Sequence, residues 1–182
     1  KVKNELVRFE QDVDYKDGGK HLSPNEFLEM ANEKDIILLD ARNFYESKVG
    51  KFKNAITPEI KTFREFPKVI EMIKDKKEKK ILMYCTGGIR CEKASAFLKK
   101  EGFKNVYQLH GGILNFGKEF SNNDNNIWEG KCFVFDKRLI EDVNGNDEKP
   151  LTNCEICNIS CDLYKNCRNN DCDKLTITCL DC

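Results

Sequence analysis

No apolar stretch in this 182-residue chain approaches the roughly 20 residues that a helix needs to cross a bilayer, so no membrane is expected as a partner. Neither end carries the charged, apolar, small-residue order of a secretory signal. The chain opens on Lys1 rather than Met, and the expectation is a piece of a longer protein, of cytoplasmic location, whose upstream segment is absent. Charge of one sign is missing too. The 31 Lys/Arg balance 31 Asp/Glu, which excludes a strongly basic nucleic-acid binder by bulk charge. Any RNA contact would need a local patch, and Lys74, Lys76, Lys77, Lys79 and Lys80, with Lys93, Lys99, Lys100 and Lys104, supply one candidate. Histidine is down to two residues, and no flavin motif, haem motif or clear iron triad is visible. Nothing in the sequence accounts for oxygen activation.

What is present is cysteine. Of ten, seven fall between Cys154 and Cys182, leaving Cys85, Cys91 and Cys132 in the body. An odd cluster cannot close into disulfides without a remainder, and a reactive thiol in the body argues for a reducing compartment. Metal is the better reading. Cys154-x2-Cys157 and Cys179-x2-Cys182 are two knuckles whose thiolates can reach one tetrahedral Zn²⁺ at about 2.3 Å. Cys161, Cys167 and Cys172 complete the candidate ligand set, through a second site or a different pairing with the knuckles. A segment so poor in large apolar residues needs the metal for stability, so structural zinc is the expected cofactor. Chelation should then melt the segment after Pro150 and spare the rest.

Upstream, strands alternate with helices. Residues 1 to 20 read as a short strand or linker (Val2, Leu6, Val7, Phe9) and a loop. Ser23-Pro24-Asn25-Glu26 is a helix start with a capping box, and Phe27, Leu28 and Ala31 should face inward. Ile36–Leu39 and Ile81–Tyr84 are short apolar runs typical of buried parallel strands, and Val106–Leu109 makes another strand. Apolar positions 66, 69, 70 and 73 repeat at helical period within 63–73, and a second helical pattern ends at Gly102. Asn122–Asn126 reads as a polar linker before a strand-like Cys132–Phe135. The fold class is therefore α/β, a parallel sheet with helices on both faces, followed by a small cysteine-rich module. Active sites in such sheets sit at the carboxyl ends of the strands.

Cys85-Thr86-Gly87-Gly88-Ile89-Arg90 lies at one such end. Paired glycines let backbone N–H groups converge on one centre, and the following helix adds its positive end. A sulfur in that cradle is favoured as thiolate, with Arg90 as a fixed positive charge at the far end of the loop. That is a nucleophile whose anionic or persulfide form can persist.

These residues resemble the rhodanese family. Asp40-Ala41-Arg42 is similar to its strand-end Asp-x-Arg; Tyr45-Glu46 and Gly50–Ile56 are similar to the segment that follows; Val106–Gly112 resembles its last strand and Gly-Gly turn. Lys51 and Asn54 depart from the usual His and Gly. The Cys85–Arg90 loop has six residues, as in sulfurtransferase-like members, whereas members that hydrolyse phosphate esters have seven. Thr62–Pro67, Cys85–Ala94 and Trp128–Asp136 together resemble the bacterial tRNA uridine hydroxylase family, which oxidises wobble uridine to 5-hydroxyuridine using oxygen. The resemblance implies that residues 1–20 are a linker or the tail of a missing N-terminal domain, 21–130 the rhodanese domain, and 131–182 the zinc-binding module. It makes Cys85 the essential cysteine and Cys91 a candidate resolving thiol. Asp40 and Arg42 brace the loop, and His110 is a candidate proton carrier.

Three functions compete: hydroxylation of tRNA wobble uridine, with tRNA as partner; sulfur transfer through a Cys85 persulfide from a small-molecule sulfur donor; and a rhodanese-fold binding module without turnover. Cys85 and Arg90 together weigh against the third.

Overall fold

The computed structural model describes residues 7–145, 149–169, 171–172 and 174–182. Val2 and Leu6, read above as part of a strand, lie outside the described residues, as do Asn146 and Asp147, whose Asn-Gly-Asn-Asp setting from Asn144 predicts a turn. Four parallel strands form the central sheet: β1 Lys20–Leu22, β2 Ile36–Asp40, β4 Lys80–Tyr84 and β5 Asn105–Leu109, in the order β1-β5-β4-β2. The strand β1 was not anticipated, because three residues with a single buried one (Leu22) leave no pattern to read.

Helices cover both faces, as expected. Helices α1 (Pro24–Ala31) and α5 (Gly112–Phe120) bury Phe27, Leu28, Ile113, Phe116 and Phe120 against Leu22, Leu38, Leu82, Tyr84 and Leu109. On the other face α3 (Val69–Ile73) and α4 (Ile89–Lys100) pack Val69, Ile73, Ala94, Phe97 and Leu98 against Ile37, Leu39, Ile81, Met83 and Val106. Successive strand residues thus serve opposite cores, which is why the Ile36–Leu39 and Ile81–Tyr84 runs are apolar throughout. The Ser23–Glu26 capping box forms at the start of α1.

Two expectations change. The 63–73 segment is a 3-10 turn over Phe63–Lys68 and only then α3, since Pro67 lacks the N–H that a continuous α-helix needs. Residues 7 to 14 form no strand; Phe9 instead plugs the core beside Phe63, Phe66 and Phe97.

Helix α2 (Phe44–Lys48) leads into β3 (Gly50–Phe52), which pairs antiparallel with β6 (Trp128–Gly130). Asn122–Asn126 is therefore an anchored turn rather than a free linker: the Asn126 amide donates to Phe120 O and Asn144 Oδ1 and accepts from Trp128 N–H. Beyond it lie β7 (Cys132–Phe133), shorter than the four residues expected, β8 (Ile140–Glu141), β9 (Tyr164–Asn166) and β10 (Leu175–Ile177). A third small core joins Phe133, Tyr164, Ile177 and three cysteines to Val49 at the end of α2.

Candidate active site and metal centre

Cys85 follows β4 at the carboxyl edge of the sheet, 1% exposed. The loop turns back through Gly88, in the left-handed region at φ 92°, and the Gly88 N–H donates to Cys85 Sγ at 3.1 Å. Gly112, from the neighbouring strand's turn, lies so close that a Cβ there would collide with the Cys85 and Thr86 carbonyl oxygens. The Cys85 thiol is pulled down to about 6. The largest cause is a hydrogen bond from the Cys91 thiol; the Arg90 charge and the Arg90 and Cys91 amides add to it, against the opposing effect of burial. Cys91, fully buried on the first turn of α4, is pushed well up by burial and by its bond to Cys85. At neutral pH the pair is one thiolate and one thiol.

Arg90 does not stand as a bare charge. It is buried and forked onto Glu46, Nη1 to Oε1 at 2.5 Å and Nη2 to Oε2 at 2.7 Å, with Thr86 Oγ1 accepting at 3.3 Å. Glu46 is itself fully buried. Arg42 makes a second fork, onto Asp40, and donates to the Gly50 and Glu46 carbonyls while its guanidinium lies 5.2 Å from the Trp128 ring. Asp40 and Arg42 are thus tied to the helix that carries Glu46, through the bond from Arg42 to the Glu46 carbonyl. A buried charge survives only when paired and hydrogen-bonded, and these four residues meet that condition in two couples.

A cavity of about 440 Å³ opens over the loop, lined by Cys85, Thr86, Gly87, Ile89 and Arg90, with Phe63 and Phe135 among its walls. Phe135 is 66% exposed and stacks edge-on against Phe133. The site is an acid-shifted sulfur at the floor of an apolar-walled pocket.

In the C-terminal segment Cys154, Cys157, Cys179 and Cys182 bring their sulfurs within 4.8 Å of one another. A tetrahedral ion with bonds of about 2.3 Å would hold sulfurs about 3.8 Å apart. The Cys157–Cys179 separation of 3.6 Å fits that geometry. All four side chains are free thiols and could hold a metal. Three of the seven expected ligands stand apart: Cys161 is buried and accepts from Leu163 N–H, while Cys167 and Cys172 are exposed between β9 and β10.

The sequence profile of the rhodanese-like domain matches residues 23–119, and that of the rhodanase C-terminal region matches residues 129–182. This chain belongs to the rhodanese-like family. A tRNA uridine(34) hydroxylase of Chlamydia felis is 45% identical over 187 residues, covering 100% of this chain and 57% of that protein. Its counterpart in Cytophaga hutchinsonii is 48% identical over 164 residues, covering 90% of this chain and 52% of that protein. The chain thus spans little more than half the length of these relatives. The Alr3790 protein from Anabaena superposes with a TM-score of 0.50 at 18% identity, covering 60% of this chain and 81% of that one, which reflects the fold.

Within the rhodanese-like fold two site residues escaped the sequence reading. Glu46 was noticed only as part of a resemblance, and its role follows from α2 aiming it across at α4, a contact 44 residues apart. Phe135 reaches the pocket because β7 is two residues long and releases the chain there. Of the lysine patch, Lys93 reaches the pocket wall, donating to the Val7 carbonyl at 2.9 Å, whereas the 74–80 run does not join the site. Lys79 and Lys80 stand at the amino end of β4, with Cys85 beyond its carboxyl end, and they pair with Asp35 and Glu33. Lys74 and Lys104 pair with Glu71 and Glu78. No helix among the described residues is long and apolar enough to cross a membrane.

Proposed function

We propose that this chain is the rhodanese and C-terminal part of an oxygen-dependent enzyme that hydroxylates the wobble uridine of tRNA in the cytoplasm. One observation carries the reading: likeness to proteins named tRNA uridine(34) hydroxylase runs through the reactive loop and the cysteine module alike, over 100% of the chain. Hydroxylation replaces the C5–H of uracil by C5–OH. It takes one atom of O₂ into the base and, with two electrons and two protons from a reductant, leaves the other as water. Cys85, as thiolate, is suited to add to C6 of the ring, which makes C5 electron-rich toward oxygen; loss of the C5 proton then expels the thiolate. Arg90, Thr86, Gly87, Gly88 and Ile89 shape the pocket, Asp40 and Arg42 position it, and Cys91 protonates or resolves Cys85. Cys154, Cys157, Cys179 and Cys182 would hold a structural zinc ion. Residues 21–130 and 131–182 act as the two parts of this unit.

The second reading is sulfur transfer. The six-residue loop and its inward N–H groups suit a Cys85 persulfide, formed when the thiolate takes the outer sulfur of a donor such as thiosulfate and releases sulfite. Complementation of a hydroxylase-deficient bacterium separates the two, using this chain joined to the N-terminal region of a relative. Recovery of 5-hydroxyuridine by the wild type and not by Cys85→Ser supports hydroxylation. No recovery, with rapid sulfur transfer in vitro, overturns it.

A further inference from the structure

The chain has two histidines, and the fold brings them together away from the cysteine pocket. His21 lies on β1 and His110 just beyond β5, and His110 N–H donates to Leu22 O at 2.9 Å, so both are tied to the carboxyl edge of the sheet. Their Nδ1 atoms stand 3.3 Å apart. Both side chains reach solvent, His21 with 45% exposure.

The network around His21 assigns its protons. Gln108 Nε2 lies near three acceptors: Gly19 O at 3.0 Å, Glu92 Oε2 at 3.1 Å and His21 Nε2 at 3.0 Å. An amide nitrogen carries two hydrogens, and a carbonyl and a carboxylate cannot donate in return. Those two hydrogens go to Gly19 and Glu92, leaving His21 Nε2 to carry its own hydrogen toward Glu92 Oε1 at 3.2 Å. In neutral His21 the lone pair is then on Nδ1, facing His110. An imidazole whose far N–H is held by a carboxylate is the usual orientation of a metal-bound histidine. Two such nitrogens on one tetrahedral ion at about 2.0–2.1 Å stand about 3.3–3.4 Å apart.

We infer that His21 and His110 form a two-histidine site for a borderline divalent ion such as Zn²⁺, Ni²⁺ or Cu²⁺, with Glu92 orienting His21 from behind and Gln108 holding Glu92. Imidazole suits these ions, and the exposed side leaves their remaining positions to water or an oxygen ligand. The site shares no ligand with the four-cysteine group or with Cys85.

The test uses Ni²⁺ added to the chain loaded with a single equivalent of zinc, which the four thiolates take in preference to two imidazoles, followed by calorimetry and by NMR of the two imidazole rings. One equivalent should bind and shift or broaden both rings together. His21→Ala and His110→Ala should each weaken binding at least tenfold, and Glu92→Gln, which keeps the shape but loses the charge, should weaken it by about tenfold. Ni²⁺ binding within twofold of wild type in both alanine variants overturns the site. So does an unperturbed pair of rings at saturating Ni²⁺, which would mean that the two nitrogens share only a proton.

Discussion

The Tyr164 hydroxyl, in the cysteine module, donates to the carbonyl of Tyr45 at 2.7 Å, one residue before the Glu46 that holds Arg90. Phe133 packs edge-on against both tyrosine rings, at 5.2 and 5.4 Å. The module therefore rests on the helix that sets the charge of the reactive loop.

Metal removal should be felt through this contact. The sequence reading expects chelation to melt only the segment after Pro150; the shared core of Val49, Phe133, Tyr164 and Ile177 predicts a wider effect. Thermal unfolding of the zinc-loaded chain should show one transition, and a chelator should lower it as a whole. A main transition at unchanged temperature would show that module and sheet are independent. Tyr164→Phe should cost about 0.5–1.5 kcal/mol, the ordinary worth of one hydrogen bond, in urea titration.

Much of this was legible early. The Cys85 loop, the apolar strand runs Ile36–Leu39 and Ile81–Tyr84 and each Cys-x2-Cys knuckle are local patterns, each contained in a few consecutive residues. What escaped depends on distant partners. Glu46 meets Arg90 across 44 residues, His21 meets His110 across 89, and Cys161, buried like Cys154, stands outside the four-sulfur group. Pro67 interrupts the helical period that the apolar positions 66, 69, 70 and 73 carry.

Cys85 should alkylate with iodoacetamide at a rate that rises through about pH 6. A free cysteine would rise near 8.5. Because the folded value lies below the unfolded one, ionisation of Cys85 adds stability that is complete above about 8.5 and is lost as the pH falls through about 6. A midpoint at 8 or above would remove the activated thiolate.

Glu46→Gln leaves the buried Arg90 guanidinium with its carboxylate gone. Breaking one side of a buried ion pair typically costs about 3–5 kcal/mol, so unfolding stability should fall by that order. A loss below about 1 kcal/mol, the range of exposed pairs, would mean that water reaches Arg90.

The two roles proposed for Cys91 can be pulled apart by two substitutions. Its thiol donates to the Cys85 thiolate, and its sulfur can close a disulfide on an oxidised Cys85. Cys91→Ser keeps a donor and loses the sulfur; Cys91→Ala loses both. The alkylation midpoint of Cys85 should stay near the wild-type value in the serine variant and rise by about one pH unit or more in the alanine variant, since the thiol's hydrogen bond is the largest cause of the depression. After mild peroxide, wild type should lose two hydrogens as an internal disulfide, while both variants should run on to the sulfinic acid at Cys85. Sulfur transfer from thiosulfate needs only the Cys85 thiolate, so Cys91→Ser should leave it nearly intact. Hydroxylation of tRNA uridine by the complemented chain should drop in Cys91→Ser, because a Cys85 oxidised by stray peroxide between turnovers would be stranded. If Cys91→Ser forms 5-hydroxyuridine at the wild-type rate and resists overoxidation, Cys91 is a proton donor alone and the resolving role is wrong.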